Sequence, residues 1–287
     1  MPNLYIVATP IGNLEDISLR ALRLLKEVGL IAAEDTRKTR RLLSAYDIHT
    51  PLTSYYEHNK VTKLDYIIER LGEIDVALVS EAGMPGISDP GYELITAAID
   101  KSIPVIPVPG PSAVVTAVAI SGLPTDRFYF AGFLPSRQPA RQKVLRELTE
   151  IVGSLVLHEA PHRLLATLRD IMEILGDRRI AVCRELTKLH EEVFRGRISN
   201  ALEYFRVPRG EFTLVIEGYR TREKSTLPDA AAQLQALKRQ GMGAKEAVAT
   251  VASNSGLPRK DIYRAWLNIE KENDNSTNTH SKGRKAQ

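Results

Sequence analysis

This 287-residue sequence predicts an α/β fold, two α/β domains followed by a small helical module. Three observations carry that reading. Short apolar runs end in glycine- and proline-rich turns and give way to helical periodicity, the pattern of strand–turn–helix units in a mainly parallel sheet. The pattern starts again after Gly122. From Arg222 onward the chain turns basic, with twelve Lys/Arg against seven Asp/Glu, while the part before it is nearly neutral.

Leu4–Val7 reads as the first strand. Pro10 and Gly12 shape the turn that follows, ATPIGNLEDIS (Ala8–Ser18), and Asn13 or Asp16 is placed to cap a helix running to Val28. Leu19, Leu22 and Leu25 are the expected apolar face of that helix. Leu30–Ala33 is the next strand. Val76–Ser80 leads into SEAGMPGISDPG (Ser80–Gly91), where Gly83, Gly86 and Gly91 let the backbone approach a ligand and Pro85 and Pro90 stiffen the loop. Such turns at strand C-termini are where α/β sheets build ligand sites. A helix over Tyr92–Ile99 follows. The strand Val105–Val108 breaks at Pro109-Gly110-Pro111, and Ser112 caps the helix Ala113–Ile120. That helix is apolar nearly all round, which predicts burial where two domains meet.

The first domain therefore spans 1–122 and the second 123–221. Strands of the second are expected at Phe128–Phe130, Ser154–Leu157, Ile180–Cys183 and Phe212–Glu217, with a helix at Leu164–Leu175. After the polar linker Arg222–Thr226 comes a module at 226–271 with helices Asp229–Gln240, Ala244–Ser253 and Pro258–Lys271. In the last helix Ile262, Ala265, Trp266 and Ile269 share one face, and Lys260 and Arg264 project from the other. This is similar to a helix-turn-helix module that lies against nucleic acid; a trihelical cap is the alternative. The tail 272–287 is polar, and disorder is expected.

One cysteine, Cys183, excludes an intramolecular disulfide framework. No basic start followed by an apolar segment and no apolar run of about 18 residues occurs, so a cytoplasmic protein without a membrane anchor is expected. GxGxxG and GxxxxGK[ST] are both absent. His158, His162 and His190 lack carboxylates at metal-ligand spacing, and no metal is expected.

TPIGNLEDIS, AEDTR, SEAGMPGISDPG, PGPSA, EAPHR and RELTK occur in that order. Together they make Leu4–Gly218 resemble the tetrapyrrole-methylase-like S-adenosylmethionine-dependent methyltransferases, and within them the branch that methylates ribosomal RNA at the ribose 2′-oxygen. The resemblance implies two domains of tetrapyrrole-methylase type around a cofactor cleft, usually in a homodimer. It implies S-adenosylmethionine as cofactor and a cytidine in the decoding region of small-subunit ribosomal RNA as acceptor, in naked RNA or the assembled 30S particle. By motif position it assigns Pro10, Ala82, Gly83, Met84, Ile87, Ser112 and Ala113 to the cofactor pocket. One departure stands out. Many relatives acting on tetrapyrroles carry Gly-Asp-Pro where this chain has Gly83-Met84-Pro85, with Asp89 displaced downstream.

For the acceptor, Glu34 and Asp35 end a strand and are followed by Arg37, Lys38, Arg40 and Arg41. With Tyr55 and His58 downstream, these cations and rings suit single-stranded RNA. A solvated helix start is the plainer alternative. Lys260 and Arg264 would extend the RNA contact. A ribose hydroxyl is a very weak acid, so a carboxylate or a lysine of lowered pKa would serve as general base. Lys188 and Glu159 are the candidates, with Asp35 behind them, and Glu159, Glu185 and Lys188 could meet across the cleft. A structural ion pair is the alternative for each. Two further functions stay open: C-methylation of a tetrapyrrole on the same fold, and a non-catalytic RNA-binding ribosome-assembly protein.

Overall fold

The computed structural model describes residues 2–56, 60–219, 227–255 and 257–269, so His58, the linker 222–226 and the tail 272–287 lie outside the described residues. The chain forms two compact units, Met1–Tyr219 and Arg220–Gln287.

The first unit begins with β1 (Leu4–Val7). Asn13 does cap, but what it caps is a single 3-10 turn over Leu14–Asp16. Ser18 caps α1 (Leu19–Glu27), its hydroxyl accepting from the Ala21 N–H at 3.1 Å. The buried face of α1 is Ala21, Leu24 and Leu25. Leu19 is 85% exposed, because it lies two residues, about 200°, around the helix from Ala21. Then come β2 (Leu30–Ala33), α2 (Thr36–Ala45), β3 (Leu52–Ser54), α3 (Lys60–Arg70), β4 (Val76–Val79), α4 (Tyr92–Asp100), β5 (Val105–Val108) and α5 (Ala113–Ile120).

These strands make a five-stranded sheet in the order β3-β2-β4-β1-β5, parallel throughout. β2 and β4 are buried at every residue, as strands covered by helices on both faces must be. From β1 the chain moves to one side, returns to β4, and then crosses to β5 on the other side. The turns after β4, β1 and β5 are thereby neighbours at one sheet edge, the position where open α/β sheets bind ligands.

The second sheet is built from β6 (Phe128–Phe133), β7 (Ser154–Glu159), β8 (Arg179–Arg184), β9 (Glu192–Arg197) and β10 (Phe212–Ile216), with α6 (Gln138–Glu147), α7 (Leu164–Leu175) and α8 (Ile198–Tyr204). Its order is β6-β7-β10-β8-β9. Only β6 and β7 pair in parallel, and the other neighbours are antiparallel. Leu155, Leu157, Val182 and Leu214 face a core that includes Leu145 of α6, Leu168 of α7 and Ala201 of α8. The opposite face, with Val156, Ala181, Cys183 and Val215, is covered by Val114, Ala117 and Val118 of α5. Burial of α5 is therefore one-sided, since Val115 is 59% exposed.

In the helical unit, α9 (Leu227–Arg239), α10 (Ala244–Ser255) and α11 (259–269) close around Leu234, Val251, Ile262 and Trp266. Pro258 stands just outside α11, its carbonyl accepting from the N–H groups of Asp261 and Ile262. Lys260 and Arg264 are exposed, and Ile262, Trp266 and Ile269 are buried. No helix among the described residues is long and apolar enough to cross a membrane.

Candidate functional site

The glycine turns are tied to one another. Thr9 and Gly83 exchange backbone hydrogen bonds at 2.9 and 3.0 Å, linking the turn after β1 to that after β4. A Cβ on Gly110 would come within 3.0 Å of the Ala8 side chain, so the turn after β5 also needs a glycine to close up. Gly83 sits at φ +88°, a region where an L side chain is strained. Between these turns and the second sheet lies a cavity of about 380 Å³, inside the range of small-ligand sites. Ala82, Gly83, Met84, Ile87, Ser112 and Ala113 all line it. Pro10 does not, and its neighbour Ile11 takes that place. The far wall is His158, Glu159, Cys183 and Thr213 from the second sheet, with Leu186 and Glu211 from its loops.

The lining carries five carboxylates, Glu34, Glu81, Asp89, Glu159 and Glu211, and neither lysine nor arginine. Burial, reinforced by the nearby charges of Glu34 and Glu81 and opposed by a bond from Ser80, pushes Asp89 up to about 6. His158 is shifted down by burial and is neutral at physiological pH. Burial also raises the Cys183 thiol to about 11, which leaves it a poor nucleophile. Such a lining disfavours a phosphate-bearing ligand and suits a cationic one. The cationic sulfonium of S-adenosylmethionine fits this donor set.

The three base candidates from sequence are not brought together. Glu159 is buried, accepts from Thr167 Oγ1 and the Ala160 N–H, and pairs with Arg163 at 3.2 Å. Lys188 does meet Glu185, at 3.0 Å, and also Glu211, at 2.8 Å, but not Glu159. Burial pulls the Lys188 pKa down, yet the two carboxylates outweigh it and leave the pKa raised, opposite to what a lysine base needs. Asp35 caps α2, accepting from the N–H groups of Arg37 and Lys38; these bonds lower its pKa and weaken it as a base. Asp89, noted in the sequence only as a displaced residue, is the carboxylate whose surroundings make it basic. Its signal lies in burial and in the charge of Glu34, far away in sequence, with Glu81 of the same turn adding to it.

The cations of α2 begin at the cavity rim. Lys38 pairs with Glu81, whose own N–H donates to Glu34 at 3.2 Å. Arg37, Arg40 and Arg41 are exposed and make no ion pair among the described residues. Tyr55 departs from expectation: it is fully buried in the core against α3 and α4, so its ring cannot meet RNA. As the residue just past the short β3, it points inward with the strand's alternation. Among the described residues no group of three His, Cys, Asp or Glu side chains could hold a metal ion.

Residues 3–202 match the family model for tetrapyrrole (corrin/porphyrin) methylases. The chain belongs to the tetrapyrrole methylase family. Curated relatives of this methylase are named ribosomal RNA small subunit methyltransferase I. One from Halalkalibacterium halodurans is 47% identical, over 92% of this chain and 94% of the relative. One from Thermotoga maritima is 51% identical over 221 residues, which is 99% of that relative but 76% of this chain. Among solved structures, a cobalt precorrin-4 methyltransferase superposes with a TM-score of 0.57 at 16% identity, over 75% of this chain and 94% of that one. A diphthine synthase gives 0.58 at 14%, over 75% and 89%. These distant likenesses show the methylase fold and leave the acceptor to be argued from the site.

Proposed function

We propose that this chain methylates a ribose 2′-hydroxyl of small-subunit ribosomal RNA, at a cytidine of the decoding region, with S-adenosylmethionine as donor. The observation that carries the proposal is a cavity lined by carboxylates, free of cations, and joined at its rim to the basic start of α2 through Lys38 and Glu81. The cavity suits the donor and the exposed arginines suit the phosphates of the acceptor. Relatives that share about half of the sequence carry ribosomal RNA in their names, whereas the tetrapyrrole enzymes share the fold at 16–21% identity. An acidic cavity is also a poor host for a carboxylate-bearing tetrapyrrole. A purely structural assembly factor would have no use for these tied glycine turns. The same reading makes the protein a cytoplasmic homodimer, acting on RNA in or on its way to the 30S particle.

Ala82, Gly83, Met84, Ile87, Ser112 and Ala113 would hold the donor, and Glu34 and Glu81 would offset its positive charge. When bound, S-adenosylmethionine supplies an electrophilic methyl group. The chain contributes orientation, which can supply much of the acceleration in an in-line displacement, and a place for the proton. Asp89 takes that proton from the ribose hydroxyl on a carboxylate oxygen. Its raised pKa makes it a stronger base than an ordinary aspartate while leaving it ionised at neutral pH. Lys188 stays protonated and braces Glu185 and Glu211.

The test is methyl transfer from labelled S-adenosylmethionine to small subunits isolated from cells lacking the protein, followed by an alkaline-hydrolysis ladder of the RNA. One missing rung in the decoding region is expected. A missing rung outside the decoding region, or label that leaves the ladder complete, refutes the proposal.

A further inference from the structure

The cavity lip carries an aromatic ring that the chemistry above does not use. Phe133, at the end of β6, is 57% exposed and lines the cavity. Regular alternation would put it elsewhere. Phe130 and Phe133 are three residues apart, so in an unbroken strand they point to opposite faces of the sheet. A β-bulge resets the alternation: Phe130 pairs with Val156 and Gly132 with Leu157, leaving Ala131 as the extra residue. Both phenylalanines then reach the His158 ring, at centroid distances of 5.1 and 5.4 Å. Gly132 makes the bulge at φ +65°, and a Cβ there would come within 3.2 Å of Ser88 Oγ, on the loop that carries Asp89. His158 is anchored behind Phe133 by Thr213, at 3.2 Å. Bulges next to sites commonly re-aim one side chain. This one moves a phenylalanine from the core side of the sheet to the cavity mouth.

The charge of the cavity says what part of an RNA can enter. Glu34 and Asp89, the two lining carboxylates that pair with no cation among the described residues, repel phosphates, so a nucleotide reaching Asp89 must lead with its neutral parts, base and ribose. A neutral aromatic face at the lip of an acidic cavity offers such a nucleotide stacking that tolerates any base. Enzymes that modify a nucleotide within structured nucleic acid first draw it out of its stack.

We propose that Phe133, backed by His158, is the platform on which the base of the target nucleotide stacks once drawn out of the RNA, setting its ribose beside Asp89. This rests on the RNA reading of the site. The full-length protein and its Phe133→Ala, Phe133→Tyr and Phe133→Trp variants provide the test. Three quantities are measured: kcat/KM for small subunits, S-adenosylmethionine affinity by calorimetry, and quenching of a short RNA carrying 2-aminopurine at the target position, without donor. Phe133→Ala is expected to lower kcat/KM about 10- to 100-fold, from the usual worth of one base–aromatic stack, and to abolish quenching. Donor affinity should stay within about twofold, and Tyr or Trp should restore both RNA readouts. Unchanged kcat/KM in Phe133→Ala overturns the platform. So does a matching loss of donor affinity, which would assign the ring to the donor instead. A wild-type protein that binds the donor yet neither methylates nor quenches RNA overturns the RNA reading itself.

Discussion

Replacing Asp89 by Asn removes the most perturbed carboxylate of the cavity while keeping its shape. The native fold holds Asp89 at about 6, against 3.8 for an ordinary aspartate. At about 1.4 kcal/mol per pK unit, keeping it ionised above pH 6 costs the fold about 3 kcal/mol, and screening at the open cavity mouth trims this towards ~2 kcal/mol. The sign follows from linkage. A carboxylate with a raised folded pKa adds stability that is complete below pH 3.8 and is lost as pH rises through about 6. Asp89→Asn should therefore be more stable than the parent at pH 7 to 8, by about 2–3 kcal/mol, and equal to it near pH 3.5. Urea unfolding of both proteins across this range measures the difference. The variant should bind S-adenosylmethionine more weakly and lose methyl transfer, so stability and activity move in opposite directions. Equal stability of the two proteins at pH 8 would refute the assignment of a strained, basic carboxylate.

Other consequences are as specific. Converting Arg37, Arg40 and Arg41 to Ala should weaken RNA binding and flatten its logarithmic salt dependence by about 0.7 per lost phosphate contact, with donor affinity unchanged; titrations at several salt concentrations check this. Glu159→Gln should cost about 1–3 kcal/mol of stability, since it strips a buried carboxylate from Thr167 and Arg163. The folded variant should still methylate, and its inactivity in a transfer assay would return Glu159 to the role of base. In the helical unit, Trp266→Ala should cost about 3–5 kcal/mol and unfold α9, α10 and α11, as seen by circular dichroism. Lys260→Glu with Arg264→Glu should change stability by less than about 0.5 kcal/mol yet slow methylation of small subunits. Normal rates across a range of salt would make this unit a cap only.

Much of the first sheet was legible because its strands are short apolar runs ended by Gly and Pro, signals local to a few residues. The helix Leu164–Leu175 was legible to the residue for a similar reason, as its apolar spacing is regular and Gly176 ends it at φ +85°. The rest depends on partners distant in sequence. β9, reading EVFRGR, carries charges at half its positions and is a strand only because β8 pairs with it. α6 opens with Gln138-Pro139 and shows little apolar face until Arg141 is buried against Asp170. In the site, six of seven donor-pocket residues line one cavity, because motif and turn coincide. The base candidates fared differently. Glu159 and Lys188 each have a partner close by in sequence, Arg163 and Glu185, so the local pattern fits an ion pair as readily as a base. Asp89 owes its basicity first to burial and then to Glu34, 55 positions away.

The central claim is that the methyl group ends on a ribose oxygen of small-subunit RNA, placed there by this cavity. Small subunits from cells lacking the protein, treated with S-adenosylmethionine and either wild type or Asp89→Asn, can be digested to nucleosides and resolved by mass spectrometry. 2′-O-methylcytidine produced by the wild type and absent with Asp89→Asn is the expected result. A base-methylated nucleoside, or 2′-O-methylcytidine formed equally by both proteins, would contradict the account.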